Sequence, residues 1–126
     1  MKRNFRLTRS SDFERVKQNG KSYAHPLLVL IKDPNQNDTF RIGISAGRVV
    51  GNAVKRNRVK RRMRASLSSI MINIQPGWDL LFLARKAVIE ANFSEILSAE
   101  VQLLKRAGLF REESVKENGS STRVSQ

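Results

Sequence analysis

The stretch from Gly51 to Arg64 reads GNAVKRNRVKRRMR and contains seven Lys or Arg residues and no acid. At the rotation of about 100° per residue of a helix, four apolar side chains in this stretch and just after it fall on one stripe. The stripe consists of Val59, Met63, Leu67 and Ile70. We therefore predict a helix over residues 53–71. Because like charges on a helix surface repel each other, we expect one flank to be buried and the cationic flank to face a polyanion.

The start of this predicted helix suits an anion. Asn52 is a favourable N-cap residue, and Gly51 allows the chain to turn tightly before it. Cations in the first turns lie at the positive end of the helix dipole, which is unfavourable unless a phosphate or another anion binds there. A solvated basic face or a localisation signal is the simpler alternative. The amphipathic pattern around the run favours a packed binding surface instead.

The positive charge is concentrated in one half of the chain. The formal net charge is +13 over 126 residues, and residues 1–64 contain 17 Lys or Arg against 4 acids. Residues 65–126 contain seven of each sign. Nucleic acid is the expected partner of such a half, with an anionic membrane surface as the alternative. No apolar run approaches the roughly 18 residues of a spanning helix, and the basic helix lacks membrane-inserting aromatics, so no membrane partner is expected.

The N-terminal residues are basic and have no apolar segment of the kind found in secretory signals. There is no cysteine, which excludes a disulfide scaffold and a cysteine-bound zinc. We therefore expect a cytoplasmic protein.

The pattern predicts one small domain between two tails. Residues 1–9 are expected to be a basic flexible arm, residues 10–110 a single RNA-binding domain, and residues 111–126 a disordered tail rich in Ser, Glu, Asn and Gly. Helices are expected over residues 12–18, over 53–71 and after Asn92, and strands over 22–32, 40–45 and 78–84. The first two strands are expected to pair as an antiparallel hairpin. The order α-β-β(-β)-α-β-α predicts an α+β fold, a small two-layer sandwich.

Two pairs of residues have the spacing of a capping box at a helix start. Ser11 and Glu14 predict one at the first helix, and Asn92 and Glu95 predict one at the last. The apolar stripe of the last helix is expected to contain Ile96, Leu97, Val101, Leu104 and Ala107, with Gly108 as its stop.

The sequence predicts no catalytic group and no metal site in the protein. The single histidine, His25, stands beside Pro26 without a spaced partner. The acids are scattered, Asp12 and Glu14 are assigned to a helix cap, and no pair of acids has a third ligand at metal-binding spacing. An autonomous nuclease is therefore disfavoured.

RNA is the favoured nucleic acid. The sequence lacks a zinc finger, a helix-turn-helix pair and a basic region with heptads, so no DNA partner is expected. Phe13 lies on a short predicted helix with few apolar residues, beside the basic Arg15 and Lys17. Its ring could stack on a base of single-stranded nucleic acid or pack against the sheet. The pattern favours a protein that binds folded RNA through shape and phosphates. A structural ribosomal-type protein that binds ribosomal RNA fits the composition equally well.

These features together resemble the protein component of bacterial ribonuclease P. The resemblance is carried by RIGIS at residues 41–45 and by KRNRVKR at residues 55–61, with support from residues 12–20 and 83–86. It covers roughly residues 5–110. It implies a ribonucleoprotein in which a catalytic RNA removes the 5′ leader of precursor tRNA, with Mg²⁺ held mainly by that RNA and no catalysis by the protein alone. It also implies an unusual left-handed βαβ crossover.

The resemblance assigns two sets of RNA-contacting residues. The set on the basic helix, which would face the catalytic RNA, contains Arg48, Asn52, Lys55, Arg56, Asn57, Arg58, Lys60, Arg61, Arg62 and Arg64. The set in a cleft between the first helix and the sheet, which would take the single-stranded leader, contains Phe13, Val16, Lys17, Ile31 and Arg41. Members of the family often carry aromatics where this chain has Lys17 and Ile31, which implies a larger electrostatic share in leader binding.

Overall fold

The computed structural model describes residues 1–112 of the chain. Of the tail predicted to be disordered, residues 113–126 lie outside the described residues. The helices are α1 (Ser10–Asn19), α2 (Ala53–Ser68) and α3 (Phe93–Arg106), and the strands are β1 (Lys21–Ala24), β2 (Leu28–Pro34), β3 (Arg41–Ala46) and β4 (Trp78–Ala84). Short 3-10 turns cover Arg3–Phe5, Arg48–Val50, Met71–Asn73 and Lys86–Glu90. The predicted α+β class is confirmed.

The four strands form one mixed sheet in the order β1-β2-β4-β3. β4 pairs antiparallel with β2 and parallel with β3, so that Phe82 lies opposite Leu30 on one side and Ile44 on the other. The predicted hairpin between residues 22–32 and 40–45 is therefore wrong. β4 is apolar at nearly every position, and such a strand is favoured in the centre of a sheet, where both of its faces are covered. β3, α2 and β4 make a βαβ unit in which α2 is the crossover.

The two faces of the sheet are covered by different helices. Successive side chains of a strand point to opposite faces, and Leu30 and Phe82 belong to the main core, which α2 and α3 cover. Ile31 and Leu81 belong to a smaller core on the other face, together with Val16 of α1. The predicted sandwich corresponds to the sheet with α2 and α3, and α1 covers part of the second face.

The N-terminal residues are docked on the sheet, so the prediction of a flexible arm over residues 1–9 is wrong. The backbone N–H of Leu7 donates to the carbonyl of Ile42 at 2.8 Å, and Arg6 makes a parallel bridge with Ile42. Leu7 is buried, and the Phe5 ring stacks on Phe40 with 5.1 Å between ring centroids. Two apolar residues within a basic run are thus enough to hold the segment along β3. We call residues 2–9 the N-terminal strap; it covers an edge strand that would otherwise be open.

Two of the three predicted helix starts are confirmed. The Asn52 side chain accepts the Lys55 backbone N–H at 3.0 Å, and Asn92 and Glu95 make both bonds of a capping box. The capping box predicted at Ser11 is wrong, because α1 begins at Ser10, two residues before the predicted start, and has no side-chain cap.

Candidate nucleic-acid interface

α2 has the two flanks that its sequence predicts. Val59, Met63 and Leu67 are at most 2% exposed and pack into the main core. Ile70 follows the end of the helix and is half-buried. The buried stripe fixes the rotation of the helix about its axis, and this rotation decides which side chains reach the solvent.

The other flank of α2 carries positive charge that no carboxylate compensates. Lys55, Arg58 and Arg61 of α2 are exposed, and so is Arg48 in the 3-10 turn before the helix. Arg56, Lys60, Arg62 and Arg64 are half-exposed, and Asn52 and Asn57 are exposed between them. In the described part of the chain, none of these Lys and Arg side chains forms an ion pair. The cations of α2 therefore share one solvent-facing surface, and the repulsion among them favours binding of a polyanion.

Two members of the predicted set lie at the borders of this surface. The Arg62 guanidinium donates to the backbone carbonyl of Ala91 at 3.3 Å and so joins α2 to the start of α3. Lys60 lies on the opposite border, where it lines a groove beside β3. Arg62 thus has a role in packing, whereas Lys60 connects the cationic flank to a second candidate site.

That second site is a groove between α1 and β3, which we call the α1–β3 groove. It is an open cavity of about 400 Å³. It is lined by Thr8, Ser10, Phe13, Glu14, Ile44, Ser45, Ala46 and Lys60. A Cβ atom added to Gly43 would lie 2.9 Å from the Phe13 ring, so the glycine is what lets this ring lie against β3. The groove presents one aromatic ring, several hydroxyls, one cation and one acid.

Of the five residues that the leader-cleft prediction names, only Phe13, which is half-buried, lines this groove. Val16 and Ile31 are 0% and 8% exposed and pack between α1 and the sheet, so the prediction that they line a cleft is wrong. Lys17 is exposed but does not line the groove. The error at Val16 arises because α1 has only two large apolar residues, and one of them must be buried to attach the helix to the sheet.

Sequence reasoning missed the hydroxyl groups of Thr8, Ser10 and Ser45 in the groove wall. These residues come from the strap, the first turn of α1 and β3. Ser and Thr are common on any surface, so the sequence contained no signal that would have selected them.

Arg41 is also not free to bind a leader, which corrects its prediction as a cleft residue. Its Nε and a terminal nitrogen donate to the two carboxylate oxygens of Asp79, at 3.0 and 2.8 Å. Asp79 is fully buried, and Arg15 of α1 donates to it as well. Burial would by itself raise the pKa of Asp79, but the hydrogen bonds from Arg41, Asn35 and Arg15 outweigh it and hold that pKa below its usual value.

This ionic cluster joins α1 to three strands. Arg15 also pairs with Asp12 of its own helix and with Asp33 of β2. Asp12, assigned from the sequence to a helix cap, is instead a member of the cluster. Because Arg15, Asp33, Arg41 and Asp79 come from four different elements, the cluster fixes the position of α1 and so one wall of the groove.

The three carboxylates of this cluster do not fit a Mg²⁺ site. Arg15 and Arg41 bind the oxygens that a metal ion would need. Over residues 1–112, no group of three or more His, Cys, Asp or Glu side chains is placed to hold a metal ion. Nor does any helix in this range have the length and apolar character needed to cross a membrane.

The chain is similar to known proteins over nearly all of its described length. The family model described as Ribonuclease P matches residues 1–108. The ribonuclease P protein component of Clostridium novyi (strain NT) is 44% identical over 112 residues, which span 87% of this chain and 99% of that protein. A solved structure of the Staphylococcus aureus RNase P protein has a TM-score of 0.77 at 30% identity and covers 85% of this chain and 98% of that one. For the RNase P protein from Thermotoga maritima the TM-score is 0.74 at 30% identity, with 80% and 96% covered.

Proposed function

The chain belongs to the ribonuclease P protein family, and on that premise we propose which of its surfaces bind RNA. It is the protein component of a ribonucleoprotein endoribonuclease that removes the 5′ leader from precursor tRNA. Its partners are accordingly ribonuclease P RNA and the tRNA substrate. The alternative of a structural ribosomal-type protein is not favoured, because the relatives are ribonuclease P protein components and this chain matches them over almost their whole length.

The cationic flank of α2 is the proposed contact with the catalytic RNA. The observation that carries this assignment is a set of eight cations, from Arg48 to Arg64, without an ion pair among the described residues. Each such cation can neutralise an RNA phosphate and release a counterion, since no local carboxylate has to be displaced. Asn52 and Asn57 add side-chain amides that can bond to phosphate or ribose.

The α1–β3 groove is the proposed site of the single-stranded leader. The half-exposed Phe13 ring offers a stacking surface for a base, and the hydroxyls of Thr8, Ser10 and Ser45 offer hydrogen bonds. With Lys60 as its one cation and Glu14 as its one acid, the groove lining has no net charge. Within the groove this favours stacking and hydrogen bonding over the larger electrostatic share that the sequence implied.

The Mg²⁺ ions of the reaction are proposed to be held mainly by the RNA. The ligand set on the protein supports this, because the clustered carboxylates are bound by arginines. The protein would then act by lowering the repulsion between RNA phosphates, which reduces the Mg²⁺ concentration that the complex needs. A cytoplasmic location, where precursor tRNA would be met, is part of the same proposal.

Reconstitution tests these assignments. The purified protein is combined with ribonuclease P RNA, and cleavage of a precursor tRNA is followed over a range of Mg²⁺ concentrations. We expect the protein to shift cleavage to lower Mg²⁺ and to cut nothing by itself. Cleavage by the protein without RNA, or an unchanged Mg²⁺ dependence, would contradict the proposed division of labour.

A further inference from the structure

The N-terminal strap is a second cationic surface that the assignments above do not use. Lys2, Arg3, Arg6 and Arg9 are all exposed, and no acid occurs before Asp12. Within residues 1–112 none of the four takes part in an ion pair. The strap therefore carries an uncompensated charge of its own, outside α2.

The strap differs from a loose basic tail because it is docked. Phe5 is held against Phe40, Leu7 is buried, and the Leu7 amide is bonded to Ile42. Docking limits the conformations of the arginine backbones before any RNA arrives. A ligand that binds such a surface loses less conformational entropy than one that must order a free tail.

The strap also leads directly into the α1–β3 groove. Arg6 pairs in parallel with Ile42, so the strap and β3 run in the same direction along the sheet edge. Two residues further on, Thr8 forms part of the groove wall, and Lys60 lines the same cavity. The exposed cations therefore continue the line of the groove along the outer edge of β3.

We propose that the strap is a phosphate-binding strip that extends the groove and binds the part of the leader that lies outside it. The inference rests on the proposed function, because it requires the leader to occupy the groove. The leader is the favoured occupant since the strap is continuous with the groove, whereas the cationic surface assigned to the catalytic RNA lies on a different element, α2. The groove has little net charge, so the strap supplies the phosphate contacts that the groove lacks.

Counterion release sets the size of the expected effect. For single-stranded nucleic acid, each neutralised phosphate contributes about 0.7 to the slope of log affinity against log salt. Loss of two contacts, at Arg3 and Arg6, should lower that slope by about 1.4. Relative to 1 M salt, this corresponds to about 25-fold weaker binding at 0.1 M monovalent salt.

The test uses the reconstituted holoenzyme and two precursor tRNAs. One precursor has a leader long enough to pass through and beyond the groove, and the other has a leader truncated so that it ends inside the groove. The variant is Arg3→Ala/Arg6→Ala. The matched control is Lys21→Ala/Lys105→Ala, which removes the same charge from β1, at the opposite edge of the sheet, and from α3.

We expect the strap variant to weaken binding of the long-leader precursor by about 25-fold and to leave the short-leader precursor unchanged. The control should change neither. An equal loss of affinity for both precursors would overturn the proposal. It would show that the strap contacts the catalytic RNA or acts only through the overall positive charge of the protein. No loss with either precursor would overturn it as well.

Two further variants separate the possible failures. Phe13→Ala removes the proposed stacking surface and should weaken binding of both precursors. If it changes the affinity for neither, the assignment of the leader to the groove fails, whatever the strap variant does. Phe5→Ala keeps every strap cation but removes the contact with Phe40. It should lower the ratio of long-leader to short-leader affinity, which does not depend on how much of the protein is folded. An unchanged ratio would show that the cations act as a loose tail and would contradict the docked strip.

Discussion

Replacement of Arg58 and Arg61 by Ala should separate RNA binding from protein stability. Both side chains are exposed on the cationic flank of α2 and neither has a carboxylate partner in the described structure. Each one that meets a phosphate of a double-stranded segment should contribute about 0.9, the value for duplex DNA, to the salt slope. The double variant should therefore lower the slope by about 1.8 and weaken binding by roughly 60-fold at 0.1 M salt.

The same change should make the free protein slightly more stable. Ala has the highest helix propensity, and removal of two cations relieves repulsion along α2. These effects together amount to about 0.5 kcal/mol in the free energy of unfolding. Affinity for the RNA and stability of the free protein should thus move in opposite directions, which a variant that merely misfolds could not produce.

The assay is binding of ribonuclease P RNA across a range of monovalent salt concentrations, with thermal unfolding of the free protein alongside. Lys21→Ala/Lys105→Ala again serves as the charge-matched control. Arg58→Lys/Arg61→Lys retains the charge and tests whether the planar guanidinium groups are needed. A salt slope equal to that of the unmodified protein, or a loss no greater than the control's, would refute the assignment of α2 as the contact.

Three more predictions concern groups inside the fold. Asp79→Ala should lower the free energy of unfolding by about 2–4 kcal/mol, because it leaves two part-buried arginines without their shared carboxylate. Since the folded pKa of Asp79 is lowered, its contribution to stability is present above the unfolded pKa of about 3.9 and is lost as the pH falls through the folded pKa. Urea unfolding at several pH values would measure this loss. Burial raises the pKa of Glu100, which accepts a hydrogen bond from Ser66 at 2.6 Å, to about 8. The contribution of Glu100 to stability should therefore be greatest below its unfolded pKa of about 4.3 and fall as the pH rises toward 8, by up to about 1.4 kcal/mol per unit. Glu100→Gln should remove this part of the pH dependence and raise the Tm at neutral pH. Gly43→Ala should push the Phe13 ring from its place, cost about 1–3 kcal/mol and weaken leader binding, which thermal unfolding and precursor affinity would report; unchanged values of both would contradict the close contact.

Local signals predicted the parts of the fold that depend on neighbouring residues. The periodicity of Val59, Met63 and Leu67 is a property of one helix, and it identified both the buried and the cationic flank of α2. The cap at Asn52 depends on an amide three residues away, so it too could be predicted from the sequence. The basic helix face was found for this reason.

Contacts between distant residues could not be predicted in this way. Nothing near β2 or β3 indicates that β4 lies between them, so the two strands were paired with each other. The ion pair of Arg41 with Asp79 spans 38 positions, and without it Arg41 is an ordinary exposed cation. In α3 the buried Glu100 interrupts the apolar pattern, which shifted the predicted stripe toward Leu97 and Val101, both of which are only half-buried.

On the proposed assignment of α2 as the RNA contact, its two flanks couple the folding of this protein to the supply of its RNA. The same helix that fills the main core carries charges that repel one another until a polyanion arrives, so the molecule without RNA is the less stable form. A ligand that binds only the native state stabilises it by mass action. Protein made in excess of ribonuclease P RNA should therefore unfold more often and be degraded first, which would keep the two subunits in proportion without a dedicated regulator.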